Sequence, residues 1–197
     1  MVFLRSVTAE TGPAIHGEGV LLRTPQMGDF PAWMALRESS RAFLTPWEPT
    51  WPMDDLTRSA FRRRIRRYLQ DIREDAAYPF FIFRSDNDAF IGGVTLSNVR
   101  RGVTQSASLG YWIGESFARQ GYMTAAVSAL VPFVFEQLRL HRLEAACLPS
   151  NAASIRLLEK VGFAREGFAR RYLRINGVWQ DHFLYAMLSD DPRPLVR

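Results

Sequence analysis

The chain is poor in the residues that staple, anchor or address a protein. Cys147 is its one cysteine, so no internal disulfide can form, and without a CxxC pair neither a zinc ribbon nor a thioredoxin-like motif fits. A lone thiol suits a reducing compartment, and a cytoplasmic location is the expectation. No apolar run approaches the roughly 18 residues that a membrane helix needs. The opening MVFLRSVTAETG has an apolar segment too short for a signal-peptide core and no small-residue cleavage site after it, so secretion is not expected either. Lysine is almost missing: one of the 25 basic residues is Lys160, which leaves 24 arginines, a bias that reads as composition rather than function. Internal repeats and low-complexity tracts are absent, which excludes solenoids and propellers. His16, His141 and His182 stand in three separate segments without metal-ligand spacing, so no metal is expected.

What is present describes one packed domain. The 197 residues are 47% hydrophobic, 13% aromatic and 23% charged, far from the composition of a disordered chain. That length allows a core burying roughly 70% of the unfolded surface. A formal net charge of +5 and a pI near 9.9 favour an anionic partner, whether nucleotide, nucleic acid or acidic protein surface. Residues 1–15 read as an arm, 16–190 as a single domain and 191–197 as a tail.

Periodicity orders the elements. Gly19 to Thr24 reads as a short strand, ended by Pro25 and Gly28 before a helix that Asp29 can cap. LTPWEPTWPMDD, with three prolines and two tryptophans, must be a loop, and an aromatic-rich loop in a compact domain is a candidate for function. Asp54 or Asp55 then caps a helix to about Glu74, with Phe61, Ile65, Tyr68, Leu69 and Ile72 at helical spacing. Its arginines, Arg58, Arg62, Arg63, Arg66 and Arg67, fall mostly elsewhere. FFIFRS, AFIGGVTLSNV and SASLGYWIG make an antiparallel meander, its first turn at Asp86-Asn87-Asp88. After the loop ESFARQG a helix runs from Tyr122 to Leu138, with a kink expected at Pro132, which cannot bond the Ser128 carbonyl. RLEAACL is a strand, Asn151 caps a short helix that Gly162 stops, and Asn176-Gly177 joins a closing hairpin. The fold class is mixed α/β, one sheet of about seven strands with about four helices on its faces.

The most informative stretch is the strand, loop and helix across 106–138. A loop Arg119-Gln120-Gly121-Tyr122-Met123-Thr124 that opens a helix directly after a strand presents free backbone N–H groups and a positive helix end, and Gly121 permits close approach. That is a pyrophosphate cradle in principle; an ordinary strand-to-helix turn has the same outline. Neither GxxxxGK[ST] nor GxGxxG is present, so the P-loop and dinucleotide folds are excluded.

Several segments in order carry a resemblance: FLTPWEPT (43–50), LGYWIG (109–114), ARQGYMT (118–124), LRLHRLEA (138–145), LPSNAASIRLLEKVGF (148–163) and EGFARRYLRINGVWQDH (166–182). Together they resemble the GCN5-related N-acetyltransferase (GNAT) superfamily, and within it the Rim-type branch that acetylates the N-terminal residue of ribosomal proteins. The resemblance implies a mainly antiparallel seven-stranded sheet whose central strands splay to admit acetyl-CoA. Backbone groups of Trp112 and Ile113 would pair with the pantetheine arm, the 119–124 amides would hold the pyrophosphate, and Lys160 could reach a phosphate or ribose of CoA, although a solvated charge at the helix C-terminus is its plainer reading. Two positions depart from the usual Q/R-x-x-G-x-G/A signature: Ala118 and Met123 stand where Gln or Arg and Gly or Ala are customary.

The same resemblance sets Asn151 and Ser154 beside the thioester sulfur. Many relatives carry a tyrosine acid at the position of Leu158, which leaves Ser154 as the candidate acid here, directly or through water. Asn151 and Ser154 also read simply as a helix cap and a first-turn residue. For the base, Glu48 and Glu115 are the nearest carboxylates in sequence, and Glu48 is favoured; its plain alternative is a pair with a nearby arginine. Trp47, Glu48, Trp51, Tyr172 and Asp181 would line an acceptor groove, with Tyr172 and Asp181 on one face of the hairpin. Cys147 on its apolar strand reads as a core thiol. Without interleaved aromatics, the arginines of 58–67 read as a solvated face, so no direct nucleic-acid contact is expected. The activity implied is transfer of acetyl from acetyl-CoA to a protein N-terminus, a ribosomal one being the natural choice. Acetylation of a small amine such as an antibiotic, polyamine or amino acid, and a non-catalytic CoA-binding or ribosome-binding module, stay open. Oligomeric state is not legible.

Overall fold

The computed structural model describes residues 13–192. They form one eight-stranded sheet: β1 (Ala14–Gly17), β2 (Val20–Arg23), β3 (Tyr78–Arg84), β4 (Phe90–Arg100), β5 (Ser106–Ile113), β6 (Arg142–Cys147), β7 (Ala164–Ile175) and β8 (Val178–Leu188). The order is β1-β2-β3-β4-β5-β6-β8-β7. Every pairing is antiparallel except β5 with β6. The eighth strand is β1, which takes Ala14 and Ile15 out of the expected arm; residues 1–12 and 193–197 lie outside the described residues. Five helices pack on the sheet: α1 (Phe30–Ser39), α2 (Arg41–Leu44), α3 (Arg58–Arg73), α4 (Tyr122–Pro132) and α5 (Ala152–Val161). The additional one, α2, is a single turn at the entry of the proline-rich loop.

Burial on both faces explains why β3 is an unbroken apolar run rather than an alternating one. Phe80 and Ile82 enter the cluster formed with α4. Phe81 and Phe83 enter the opposite cluster, which holds Trp33 of α1 and Phe61 and Ile65 of α3. Burial of each such side chain contributes about 1.5–3 kcal/mol. In α4, Met123, Ala126, Val127, Leu130 and Val131 are buried at three- and four-residue spacing, as a helix lying on a sheet requires.

Three local expectations are corrected. The α3 cap is Thr57, whose Oγ1 accepts the Ala60 N–H at 3.2 Å; Asp54 and Asp55 instead pair with Arg63 and Arg64 along the first turns. Asp29 precedes α1 without capping it, because its carboxylate accepts from the Gln26 N–H and the Arg23 guanidinium. Pro132 does not kink a continuing α-helix. The chain widens into one π-turn, Phe133–Gln137, which accommodates the bond lost at proline and lets Phe133, Val134 and Phe135 all turn inward.

The Asn151 and Gly162 signals hold. Asn151 Oδ1 accepts the Ser154 N–H at 3.1 Å, and Gly162, at φ 106°, returns its N–H to Leu158 and Glu159. Asn176 and Gly177 have φ of 44° and 79°, the left-handed pair of a type I′ hairpin turn.

A glycine fixes how closely β4 approaches the end of β5. A Cβ on Gly92 would lie 2.4 Å from the Trp112 carbonyl oxygen, and backbone cannot yield as a flexible side chain can. Gly92→Ala should therefore destabilise the chain by about 1–3 kcal/mol, read as a fall in melting temperature of about 2–4 °C per kcal/mol.

Candidate active site

Strand pairing at the middle of the sheet creates the site. The β5–β6 ladder runs only from Ser106–Arg142 to Leu109–Ala145. Beyond it, β5 continues through Gly110 to Ile113 paired with β4 alone, and β6 continues to Cys147 paired with β8 alone. The two strands have splayed. A cavity of about 790 Å³ occupies the gap, reaching from the 119–124 loop past α5 to the loop after α2.

One end is a cradle. Arg119 and Gly121 have φ of 60° and 88°, so two left-handed residues stand immediately before α4. No hydrogen bond from the backbone amides of 119–124 to another described residue is present, as the first turn of a helix dictates. Gly121 faces open space, with no atom within 4 Å of where its Cβ would be. Arg119, Arg156 and Lys160 add cationic side chains to the wall. Amides, a helix start and three cations fit a pyrophosphate with further phosphate.

The middle of the cavity holds hydroxyls. Tyr111 Oη lies 2.6 Å from Ser154 Oγ, and burial pushes the Tyr111 phenol well above its ordinary value. Leu158, one turn along α5 from Ser154, is 1% exposed and faces the core, so it presents nothing to the cavity. Cys147 is 5% exposed; burial raises its thiol pKa, and the neighbouring Ser154 hydroxyl partly offsets that. It is the core thiol expected.

The far end is built around a buried arginine. Arg37 of α1 holds both Glu48 oxygens at 2.8 Å, with side chains only 7% and 18% exposed. Its guanidinium lies 3.9 Å from the centre of the Trp51 ring and 4.8 Å from that of Trp112. Trp51 Nε1 donates to Glu48 Oε2 at 2.7 Å. The hairpin tip closes on this loop, the Asn176 N–H donating to the Glu48 carbonyl at 2.8 Å.

Most of the residues expected from the sequence meet at this cavity: Trp47, Glu48, Trp112, Ile113, Arg119, Gly121, Tyr122, Met123, Thr124, Asn151, Ser154 and Lys160, with Glu115 beside them. Four do not line it. The Gln120 side chain turns back to the Ser116 carbonyl. Trp51 spends its face on Arg37. Tyr172 and Asp181 are not on one face: Tyr172 stacks edge-on against His182, whereas Asp181 is one residue along and accepts the Arg171 N–H. An irregularity between Ala169 and Leu173 shifts the parity that simple alternation would give.

Sequence reasoning missed Tyr111, Arg156 and Arg37. Tyr111 was readable from parity, since it is two residues from the buried Leu109, on the face away from Trp112. Nothing local marks Arg37, whose partners stand 11 and more residues away.

Residues 20–164 match the model of the acetyltransferase (GNAT) domain. The chain belongs to that family. It is 36% identical to "Probable N-acetyltransferase YjcK" of Bacillus subtilis, across 90% of this chain and 98% of that protein. With the [ribosomal protein uS5]-alanine N-acetyltransferase of Escherichia coli it shares 34% identity, across 79% of this chain and 80% of the other. Mycobacterium smegmatis RimJ, solved in complex with CoA-disulfide, superposes with a TM-score of 0.83 at 32% identity, covering 89% of this chain and 86% of that one. The protein is thus an acetyl-CoA-dependent N-acetyltransferase of the GNAT type, and the splayed strands, cradle and hydroxyl pair would form its cofactor half. Bound there, acetyl-CoA supplies an activated acetyl thioester. The 119–124 amides and the cations would hold its phosphates, and the unpaired edge of β5 beyond Leu109 would receive its amide-bearing arm.

Gly121 tests the cradle directly. Gly121→Asp meets no steric obstacle, so the fold should survive with a modest loss for a non-glycine at positive φ. The added carboxylate repels the pyrophosphate, and calorimetry should show CoA affinity lowered at least tenfold.

Proposed function

We propose that the acceptor is the α-amine of a protein N-terminus, most naturally that of a ribosomal protein. The observation that carries this reading is the far end of the cavity, where Trp47 and the carboxylates of Glu48 and Glu115 line an opening beneath the hairpin tip. Such a wall binds an ammonium and leaves an exit for the chain behind it. The uS5-alanine acetyltransferase of Escherichia coli, 34% identical, acts on an acceptor of this kind and supports the choice. Intrinsic reactivity supports it too: an α-ammonium with a pKa of about 7.7–8.0 is appreciably neutral near pH 7.5, whereas a lysine near 10.4 is not. A cytoplasmic site of action follows from a ribosomal acceptor.

The two carboxylates have different roles in this proposal. Glu48 has its oxygens engaged by Arg37 and Trp51, so it is an anchor for the ammonium. Glu115 lines the same cavity with no side-chain partner among the described residues, which leaves its carboxylate free to take the proton that the amine sheds. This moves the base from Glu48, the choice favoured by sequence, to Glu115.

Mass spectrometry of a synthetic peptide with a free N-terminal Ala or Ser and an internal Lys should find the acetyl group on the terminus. The same peptide with a blocked terminus should stay unlabelled. Equal labelling of its lysine, or labelling of polyamines and aminoglycosides but of no peptide, would reject the proposal. With the peptide as acceptor, Glu115→Gln should lower kcat about 10- to 100-fold with KM little changed, and Glu48→Gln should chiefly raise the peptide's KM.

A further inference from the structure

The hydroxyl pair in the middle of the cavity solves a problem that Leu158 creates. Leu158 is buried and presents no donor to the cavity, so a sulfur departing beside α5 must be met by another group, and Ser154 has one proton to offer. That proton is useful only if it points into the cavity. We propose that Tyr111 is the positioning residue that keeps it there: the phenol donates to Ser154 Oγ, so the serine cannot donate to the phenol and directs its own O–H toward the leaving sulfur.

The contact itself admits either hydroxyl as donor, and the chemistry around the pair favours the phenol. The Oη–Oγ separation of 2.6 Å leaves room for one proton between the oxygens, so only one of the two hydroxyls is free to donate elsewhere. A phenol O–H is more acidic than an aliphatic hydroxyl and is therefore the better donor of the two, and burial raises the Tyr111 phenol, which makes it a poor source of a transferred proton. Ser154 is pinned from its other side by the Asn151 cap on its amide. It stands in the first turn of the ten-residue α5, whose positive end favours an anion. The other titratable groups near the pair are Cys147 of β6, whose thiol also neighbours the Ser154 hydroxyl, Tyr185 of β8, and Glu159 of α5, which accepts from the Tyr185 hydroxyl. Burial raises the Cys147 thiol and the Tyr185 phenol. Glu48 and Glu115 are the carboxylates on the same cavity.

In the transfer the amine nitrogen forms the C–N bond as the thioester C–S bond breaks. The sulfur leaves with the electron pair, and the proton released from nitrogen goes to a carboxylate or to water. Ser154 stabilises the thiolate by a hydrogen bond, and the thiolate is protonated from solvent. Tyr111 surrenders no proton, so its contribution is orientation.

The test needs no acceptor. CoA carries a free thiol and acetyl-CoA does not, so calorimetric affinities of both are measured at pH 7 and pH 9.5 for the parent, Tyr111→Phe, Ser154→Ala and the double variant. A donor aimed at the sulfur lowers the thiol's pKa in the complex, and binding then tightens as pH rises from the bound toward the free value. One unit of lowering gives a gain of several-fold at pH 9.5, approaching about tenfold once the pH lies well above the free thiol's pKa. The parent should show about that gain for CoA relative to acetyl-CoA, which cancels every other titration in the site. Tyr111→Phe should lose most of it, and the double variant should match Ser154→Ala, because two residues acting through one hydrogen bond are not additive. A gain intact in Tyr111→Phe but lost in Ser154→Ala overturns the role of Tyr111. A gain intact in both, or absent from the parent, removes the pair from the sulfur altogether. Weakening of CoA and acetyl-CoA alike at both pH values would make Tyr111 a packing residue only and would equally reject the proposal.

Discussion

Everything at this site follows from a ladder that stops early. Parallel pairing of β5 with β6 lasts four residues, after which each strand keeps a neighbour on one side only. Backbone N–H and C=O groups in a protein interior require partners, so an interrupted ladder either admits water or receives a ligand with groups spaced like a strand. The amide-bearing arm of acetyl-CoA would be such a ligand. Its phosphate end would need positive potential at a fixed distance, which the amide-rich start of α4 after the same strand would supply. Gly92 keeps β4 close against the end of β5, so the edge offered to the ligand is held from behind.

The far end of the cavity depends on a different tie. A buried guanidinium between two tryptophan faces, with a carboxylate across its fork, joins α1, the proline-rich loop and β5 at one point. Removing one member of a buried ion pair typically costs about 3–5 kcal/mol, because the other charge is left uncompensated. The loop therefore does not move freely over the cavity, and Glu48 reaches it in one orientation. The prolines at 46, 49 and 52 act in the same direction, by narrowing what the unfolded loop can explore. The arginine clamp and the gap meet at Trp112, whose ring lies against Arg37 and which also lines the cavity.

Much of this was legible in one dimension. The meander, the Asn151 cap, the Gly162 stop and the Asn-Gly hairpin are local devices, each set by the conformational needs of one or two residues, and the cradle loop is of the same kind. Where reading failed, two local solutions competed. Thr57 and Asp54 can both cap a helix, and Arg63 and Arg64 decided between them by claiming the aspartates. Proline inside a helix can kink it or end it in a wider turn, and the inward demand of Phe133, Val134 and Phe135 chose the turn.

The sequence by itself determined the order of the elements, the cofactor loop and the absence of a tyrosine at position 158, because all three reside in contiguous residues. Tertiary structure alone decided which groups meet across the gap. Tyr111 and Ser154 are 43 residues apart and become partners only because β5 and α5 flank one opening. Whether Glu48 stays free or is held depends on where Arg37 comes to rest. Tyr172 and Asp181 parted because an irregularity in β7 changed the facing of everything beyond it, and pairing irregularities are set by the neighbouring strand.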